Sequence, residues 1–169
     1  MNLREELKIG KPIEPGHEVA LALLLTREYI ARILDEQVFR KAGITDQQFN
    51  VLRILKGGPK EGYLIGEIKC RMIFRNADVP RLVNRLSDQG LVKRCENPRD
   101  RRGSRIRLTP KGDAFQDKVR PTHALVCEGI DGCLTDGERV SLLDLLERLR
   151  DHYRMLLAEG KGGEDGAEP

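Results

Sequence analysis

The sequence predicts a mainly α-helical chain carrying one small β-hairpin of two or three strands. Three observations carry this expectation. Apolar residues recur at i, i+3 and i+4 spacing through most of the chain, the signature of amphipathic helices. Only residues 91–108 read as strands, and they are split in the middle by turn-forming residues. Aromatic residues are 4% of the 169 and Trp is absent, which argues for an aliphatic, helix-packed interior rather than a β-sandwich. The length suits one domain with at most an appended element.

Residues 1–14 are polar, with Pro12, and read as a flexible N-terminal arm. Helical character starts between Glu14 and Glu18. Val19, Leu23, Ile30, Ile33 and Leu34 recur at helical spacing among charged neighbours, and the helix fades near Phe39 to Gly43. Thr45-Asp46-Gln47-Gln48 is a capping box opening a helix with Phe49, Leu52 and Leu55 on one face, stopped by Gly57-Gly58-Pro59. Leu64, Ile65, Ile68 and Met72 suggest a short helix without a clear cap. Val79, Leu82, Val83 and Leu86 then place one face of a further helix in the core. Pro80 confines its start to between Asn76 and Val79, and Gly90 ends it.

Leu91 to Cys95 reads as a strand and Ser104 to Leu108 as its partner, with Ile106 and Leu108 pointing inward and Arg105 and Arg107 outward. Thr109-Pro110 opens a helix expected to kink or break at Pro121. Thr135-Asp136-Gly137-Glu138 is a second capping box, starting a last amphipathic helix through Leu156. Residues 158–169 are Gly- and Glu-rich and are expected to be a disordered tail. The longest apolar run, Val19 to Leu25, is far short of the roughly 20 residues that span a bilayer, and the first fifteen residues do not fit a secretory signal. Four irregularly spaced cysteines do not form a disulfide framework. The expectation is a cytoplasmic protein with reduced thiols and no membrane partner.

The net charge of +3 conceals an uneven distribution. Residues 71–112 hold twelve Lys and Arg against four acids, so this block carries +8 and the rest of the chain −5. One contiguous basic block in an otherwise acidic chain points to a polyanion partner. The element order here is helix, short helix, amphipathic helix, then two strands joined by an arginine-rich loop, which is the order of a winged helix-turn-helix. A helix fits the major groove of double-stranded DNA and presents polar side chains to base edges, while a basic hairpin tip reaches a minor groove. The candidate DNA contacts are Arg75 and Asn76 before the amphipathic helix, Arg81, Asn84 and Arg85 on its polar face, Arg99, Arg101 and Arg102 in the hairpin loop, and Arg105 on the second strand.

Asp100 to Gly112, DRRGSRIRLTPKG, resembles the wing and following helix start of the MarR-type transcriptional regulators. Arg81 to Leu86 with Gly90 to Arg94 resembles their recognition helix and first wing strand, and LTDGERVSLLDLLERL, residues 134–149, resembles their closing helix. The resemblance covers about residues 17–157. It implies one domain over 15–157, with a winged-helix DNA-binding region at 45–108 and a helical dimerisation region built from 15–42 and 109–157. It further implies a homodimer on a palindromic operator, acting as a sequence-specific regulator, a repressor by expectation, with release by a small-molecule effector. Two departures stand out. The turn from Arg71 to Asp78 is longer than the family's, and Asn84 stands where the family has an acid that pairs with the wing arginine, here Arg102.

No nucleophile motif, P-loop or dinucleotide fingerprint is present, so no enzyme and no cofactor is expected. His123 and Cys127, four residues apart, are at most half of a metal site; no metal is expected. Cys70, Cys95, Cys127 and Cys133 are read as buried structural thiols, and Tyr29 and Tyr153, at helical core or interface spacing, as packing residues rather than effector contacts. The alternative function is a winged-helix protein-interaction module without sequence-specific DNA binding. Steep salt dependence together with a strong sequence preference separates the regulator from it.

Overall fold

The computed structural model describes residues 2–96 and 104–161. The chain divides into two compact units, Met1–Ala124 and Leu125–Pro169. In the first unit the N-terminal arm contains one helical turn, α1 (Leu3–Glu6), capped by Asn2 and tied by an Arg4–Glu18 ion pair to α2 (Pro15–Leu34). The chain continues through a five-residue π-helical stretch (Asp35–Phe39) and α3 (Arg40–Ala42) to Gly43, whose φ of 71° ends the run. Ile44 N–H donates to the Phe39 carbonyl, closing a Schellman turn.

The core is assembled by α4 (Asp46–Lys56), α5 (Ile65–Arg71) and α6 (Val79–Asp88) against the hairpin β1 (Val92–Glu96) and β2 (Ser104–Leu108). The Thr45 capping box forms as expected: Thr45 Oγ1 accepts from Gln48 N–H at 3.2 Å and Gln48 Oε1 accepts from Thr45 N–H at 2.9 Å. The cap that the sequence does not show for α5 is Glu67, whose carboxylate accepts from Leu64 N–H at 2.7 Å. Leu52, Ile68, Met72, Val79, Val83, Leu86 and Ile106 are fully buried, so one aliphatic cluster joins all three helices to the hairpin. At about 1.5–3 kcal/mol for each such side chain removed from water, this cluster fixes where α6 sits.

The strands pair antiparallel, Val92 opposite Leu108 and Glu96 opposite Ser104. A single bridge, Tyr63 with Ile106, adds the rudiment of a third strand on the other side of β2. β1 starts at Val92 rather than Leu91, because Leu91 N–H donates to the Leu86 carbonyl and Gly90 N–H to that of Ser87, completing the Schellman turn of α6. Thr109 opens α7 (Pro110–Cys133): its Oγ1 accepts from Gly112 N–H at 3.0 Å and donates to the Gly90 carbonyl at 2.7 Å.

The expected break at Pro121 does not occur, and α7 is continuous through it. A lone proline removes one N–H from the ladder, and the turns on either side can hold the helix together. The second unit contains the end of α7 and α8 (Asp136–Lys161), started by the Thr135–Glu138 capping box. None of the described side chains of α8 is buried, and Val140, Leu143, Tyr153 and Leu156 along it are exposed. Among the described residues, no helix is long and apolar enough to cross a membrane.

Candidate nucleic-acid interface

Helix α6 is placed by its own first turn. Asp78 Oδ1 accepts from Arg81 N–H at 3.1 Å and Pro80 occupies the second helical position, where a missing N–H costs nothing. With Val79, Leu82, Val83 and Leu86 inside, Arg81, Asn84, Arg85 and Asp88 are all exposed. The side chains of Arg81 and Arg85 make no hydrogen bond or ion pair within the described residues. Two guanidinium groups therefore stand unpaired on the outer face of a helix anchored by four buried residues, able to take bidentate acceptors.

The remaining candidates differ. Arg75 is exposed but donates to the Cys70 carbonyl at 3.0 Å, while Asn76 is exposed in the same turn. Asn84 Oδ1 accepts from Arg94 of β1 at 2.9 Å. The partner seen for Asn84 is therefore Arg94, which the sequence reading did not single out. Arg99, Arg101 and Arg102 lie outside the described residues. Arg105, expected to point outward, is instead held in place. Its side chain is 18% exposed, donates to the Gly62 carbonyl at 3.0 Å and lies 3.4 Å from Glu67. The Tyr63 bridge brings the Gly62 carbonyl and the α5 cap alongside β2, and these acceptors occupy the guanidinium.

Arg71 is a further basic side chain that sequence reasoning passed over. It lies 4.4 Å above the Tyr63 ring and donates to the Glu67 carbonyl. The cysteines also correct an expectation: Cys70, Cys127 and Cys133 are exposed and Cys95 is half-buried. Cys70 falls on the outer face of α5, whose one buried residue is Ile68, and α7 buries no residue beyond Val119. Tyr29 and Tyr153 are exposed on the single chain, which takes them out of its core and leaves the interface half of the expectation. Among the described residues no cluster of His, Cys, Asp or Glu could hold a metal ion.

The first unit also contains a cavity of about 380 Å³. Leu23, Ile30, Phe39, Phe49 and Phe74 give it apolar and aromatic walls, and Arg27, Arg53, Asp46, Asn50 and His123 give it polar edges. The His123 ring stacks on Phe49 with centroids 4.9 Å apart. Burial, and secondarily the charge of Arg53, push the His123 pKa below the usual histidine range, so the ring favours the neutral form. Sequence periodicity gave no sign of this cavity. Its one available signal was Asn50, a polar residue set among the apolar positions of α4.

Residues 42–103, spanning α4 to the hairpin, match a sequence model described as the MarR family. The HTH-type transcriptional repressor MdtR of Bacillus subtilis is 30% identical over 110 residues, which cover 64% of this chain and 69% of that protein. The chain belongs to the MarR family. A solved MarR from Escherichia coli, a cysteine-to-serine mutant complexed with operator DNA, superposes with a TM-score of 0.66 at 25% identity, over 81% of this chain and 99% of that one. Bordetella bronchiseptica BpsR, whose DNA binding is regulated by 6-hydroxynicotinic acid, shares the fold with a TM-score of 0.72 at 23% identity, over 83% of this chain and 99% of that one. As a MarR-family member the chain is a transcriptional regulator with a winged helix-turn-helix, and the two-stranded β1–β2 sheet is its wing.

Proposed function

We propose that this regulator is a repressor that binds a palindromic operator as a homodimer, with α6 in the major groove, and that a small molecule in the 380 Å³ cavity releases it. The observation that carries the reading is the exposed polar face of α6: Arg81 and Arg85 are exposed and have no side-chain partner among the described residues, opposite four buried anchors. Arg81 and Arg85 are the base-edge or phosphate contacts in this reading, with Asn84 beside them. Arg75 and Asn76 follow on the preceding turn, and the wing arginines Arg99, Arg101 and Arg102 supply the electrostatic share. Arg105 is a brace for the hairpin rather than a DNA contact in this reading, since its Nε and one terminal nitrogen already bond to Gly62 and Glu67. The protein acts in the cytoplasm and is a regulator rather than an enzyme. The interaction-module alternative is not favoured, because the relative that defines the family membership is itself a repressor.

The dimerisation region is assigned to 15–42 and 109–157 on the exposed apolar residues of α2 and α8. Val19, Leu24, Ile30 and Ile33 are exposed on α2, as are Val140, Leu143 and Leu157 on α8. Apolar stripes of this extent are uncommon on monomers and mark association surfaces. Sedimentation at micromolar concentration is expected to give twice the chain mass of 19.1 kDa. A 19.1 kDa species would overturn the homodimer and the palindrome with it. The function is tested by titrating the protein onto its own upstream region and onto scrambled duplex across a salt series. Binding equal on both duplexes would overturn sequence-specific regulation.

A further inference from the structure

We propose that Asp78 is a specificity-determining residue of this regulator, one that accepts a hydrogen bond from the exocyclic amino group of a cytosine in the operator. The proposal rests on α6 lying in the major groove and adds which base an acid at its N-terminal end selects.

A helix N-terminus at DNA ordinarily takes a backbone phosphate, because its first N–H groups are free. The first four residues of α6 offer none. Val79 N–H donates to the Ala77 carbonyl at 3.0 Å, and Pro80 has no N–H. Arg81 N–H donates to Asp78 Oδ1 at 3.1 Å, and Leu82 N–H to the Asp78 carbonyl at 3.0 Å. The cap also places a negative charge where a phosphate would sit. Capping does not require that charge, since Asn and Ser cap as well as Asp. The caps of α1, α4, α7 and α8, which are Asn2, Thr45, Thr109 and Thr135, are all neutral. The end of a recognition helix that meets base edges is therefore closed to the DNA backbone here and carries an acid.

That acid keeps an acceptor to spare. Asp78 is exposed, and its Oδ2 makes no hydrogen bond or ion pair among the described residues. Its basic neighbours leave it alone: Arg75 donates to the Cys70 carbonyl, and the exposed Arg81 and Arg85 make no ion pair among the described residues. The other acid of α6, Asp88, stands at the opposite end of the helix. An ionised carboxylate accepts and never donates, and this decides the base. In the major groove guanine presents two acceptors, thymine an acceptor and a methyl group, and adenine an acceptor beside its amino group. Cytosine alone presents a donor with no acceptor next to it. Asp78 thus attracts cytosine and penalises the other three bases, and such exclusion is half of specificity.

The test selects binding sites from a randomised duplex library with wild-type protein, Asp78→Asn and Asp78→Ser. The wild-type site and its single base-pair variants are then titrated with each protein. Both replacements cap, so all three proteins should melt within about 2 °C of one another at fixed concentration. Wild type is expected to select cytosine at one position of each half-site, and changing that C·G pair to T·A should cost about tenfold. In Asp78→Asn the amide oxygen stays on Arg81 N–H, so the spare end becomes a donor. The same base change should then cost less than about twofold, and scrambled duplex should bind about threefold tighter as the negative charge is removed. Asp78→Ser keeps the cap and has no second group for the base, so it should lose the cytosine preference and gain no other. A wild-type site whose base preferences all survive in both variants, or whose Asp78-dependent position is not cytosine, would overturn the proposal and leave Asp78 a helix cap. Absence of any sequence preference in wild type would overturn the operator reading itself, and this proposal with it.

Discussion

Gly112→Ala is expected to destabilise the protein by about 3 kcal/mol or more, although helix propensity alone predicts a gain of about 1 kcal/mol. Gly112 is buried in the first turn of α7, and a Cβ built there overlaps the carbonyl oxygen of Leu91. Neither side of the contact can yield cheaply. The Leu91 carbonyl accepts from Thr109 N–H at 3.1 Å, Leu91 N–H closes the end of α6, and Gly112 N–H is held by Thr109 Oγ1. Relief of the overlap requires α7 to lift from the junction of α6 and β1. The measurement is a thermal melt at fixed protein concentration, where a domain of this size loses about 2–4 °C per kcal/mol, so a fall of about 6–12 °C is expected. Gly66→Ala is the matched control: it is helical, exposed and has nothing within 4 Å of its added methyl, so it should be neutral or stabilising. Equal melting temperatures for the two variants would refute the packing argument.

The contrast between these glycines shows where sequence reading reaches and where it stops. Features set within one turn of chain were legible: the Thr45 and Thr135 capping boxes, the Thr109 cap, the Gly90 stop, and the buried 79–86 face all form. Each depends on residues three or four apart, and local spacing carries that information. What the sequence did not reveal depends on partners far along the chain. Alternation places Arg105 on the outer face of β2, but nothing local shows that the Gly62 carbonyl, 43 residues earlier, covers that face. Arg94 on β1 bonds Asn84, a pairing that helical spacing does not show, while the wing-loop partner that the resemblance implies, Arg102, lies outside the described residues. Asn50 looks like an interruption of an apolar face until Ile73, 23 residues on, supplies its hydrogen bond. The exposed thiols follow the same logic, since helical periodicity identifies an apolar stripe without showing whether anything in the same chain covers it.

Arg81→Ala is expected to cost about 1–3 kcal/mol on the operator, roughly 5- to 150-fold in affinity, and much less on scrambled duplex. Arg81 is exposed in the first turns of α6, its backbone N–H is taken by Asp78, and its guanidinium makes no intramolecular bond among the described residues. Removing it leaves no buried partner unmatched, so stability should change by less than about 0.5 kcal/mol and a melt should overlay that of wild type. All of the loss should therefore appear in binding. A bidentate contact to a base edge is lost only where that base is present, which erodes discrimination, whereas a phosphate contact is lost on every duplex and lowers the salt slope by about one unit. Arg102→Ala serves as the comparison, since a wing arginine is expected to act through phosphate or minor groove and to weaken both duplexes alike. Arg105→Ala differs again: its guanidinium braces the hairpin against Gly62 and Glu67, so its effect should register first in the melt. Equal loss on operator and scrambled DNA for Arg81→Ala would reassign it to the backbone. Unchanged operator binding in both the Arg81 and Arg85 variants would mean that α6 does not read the groove.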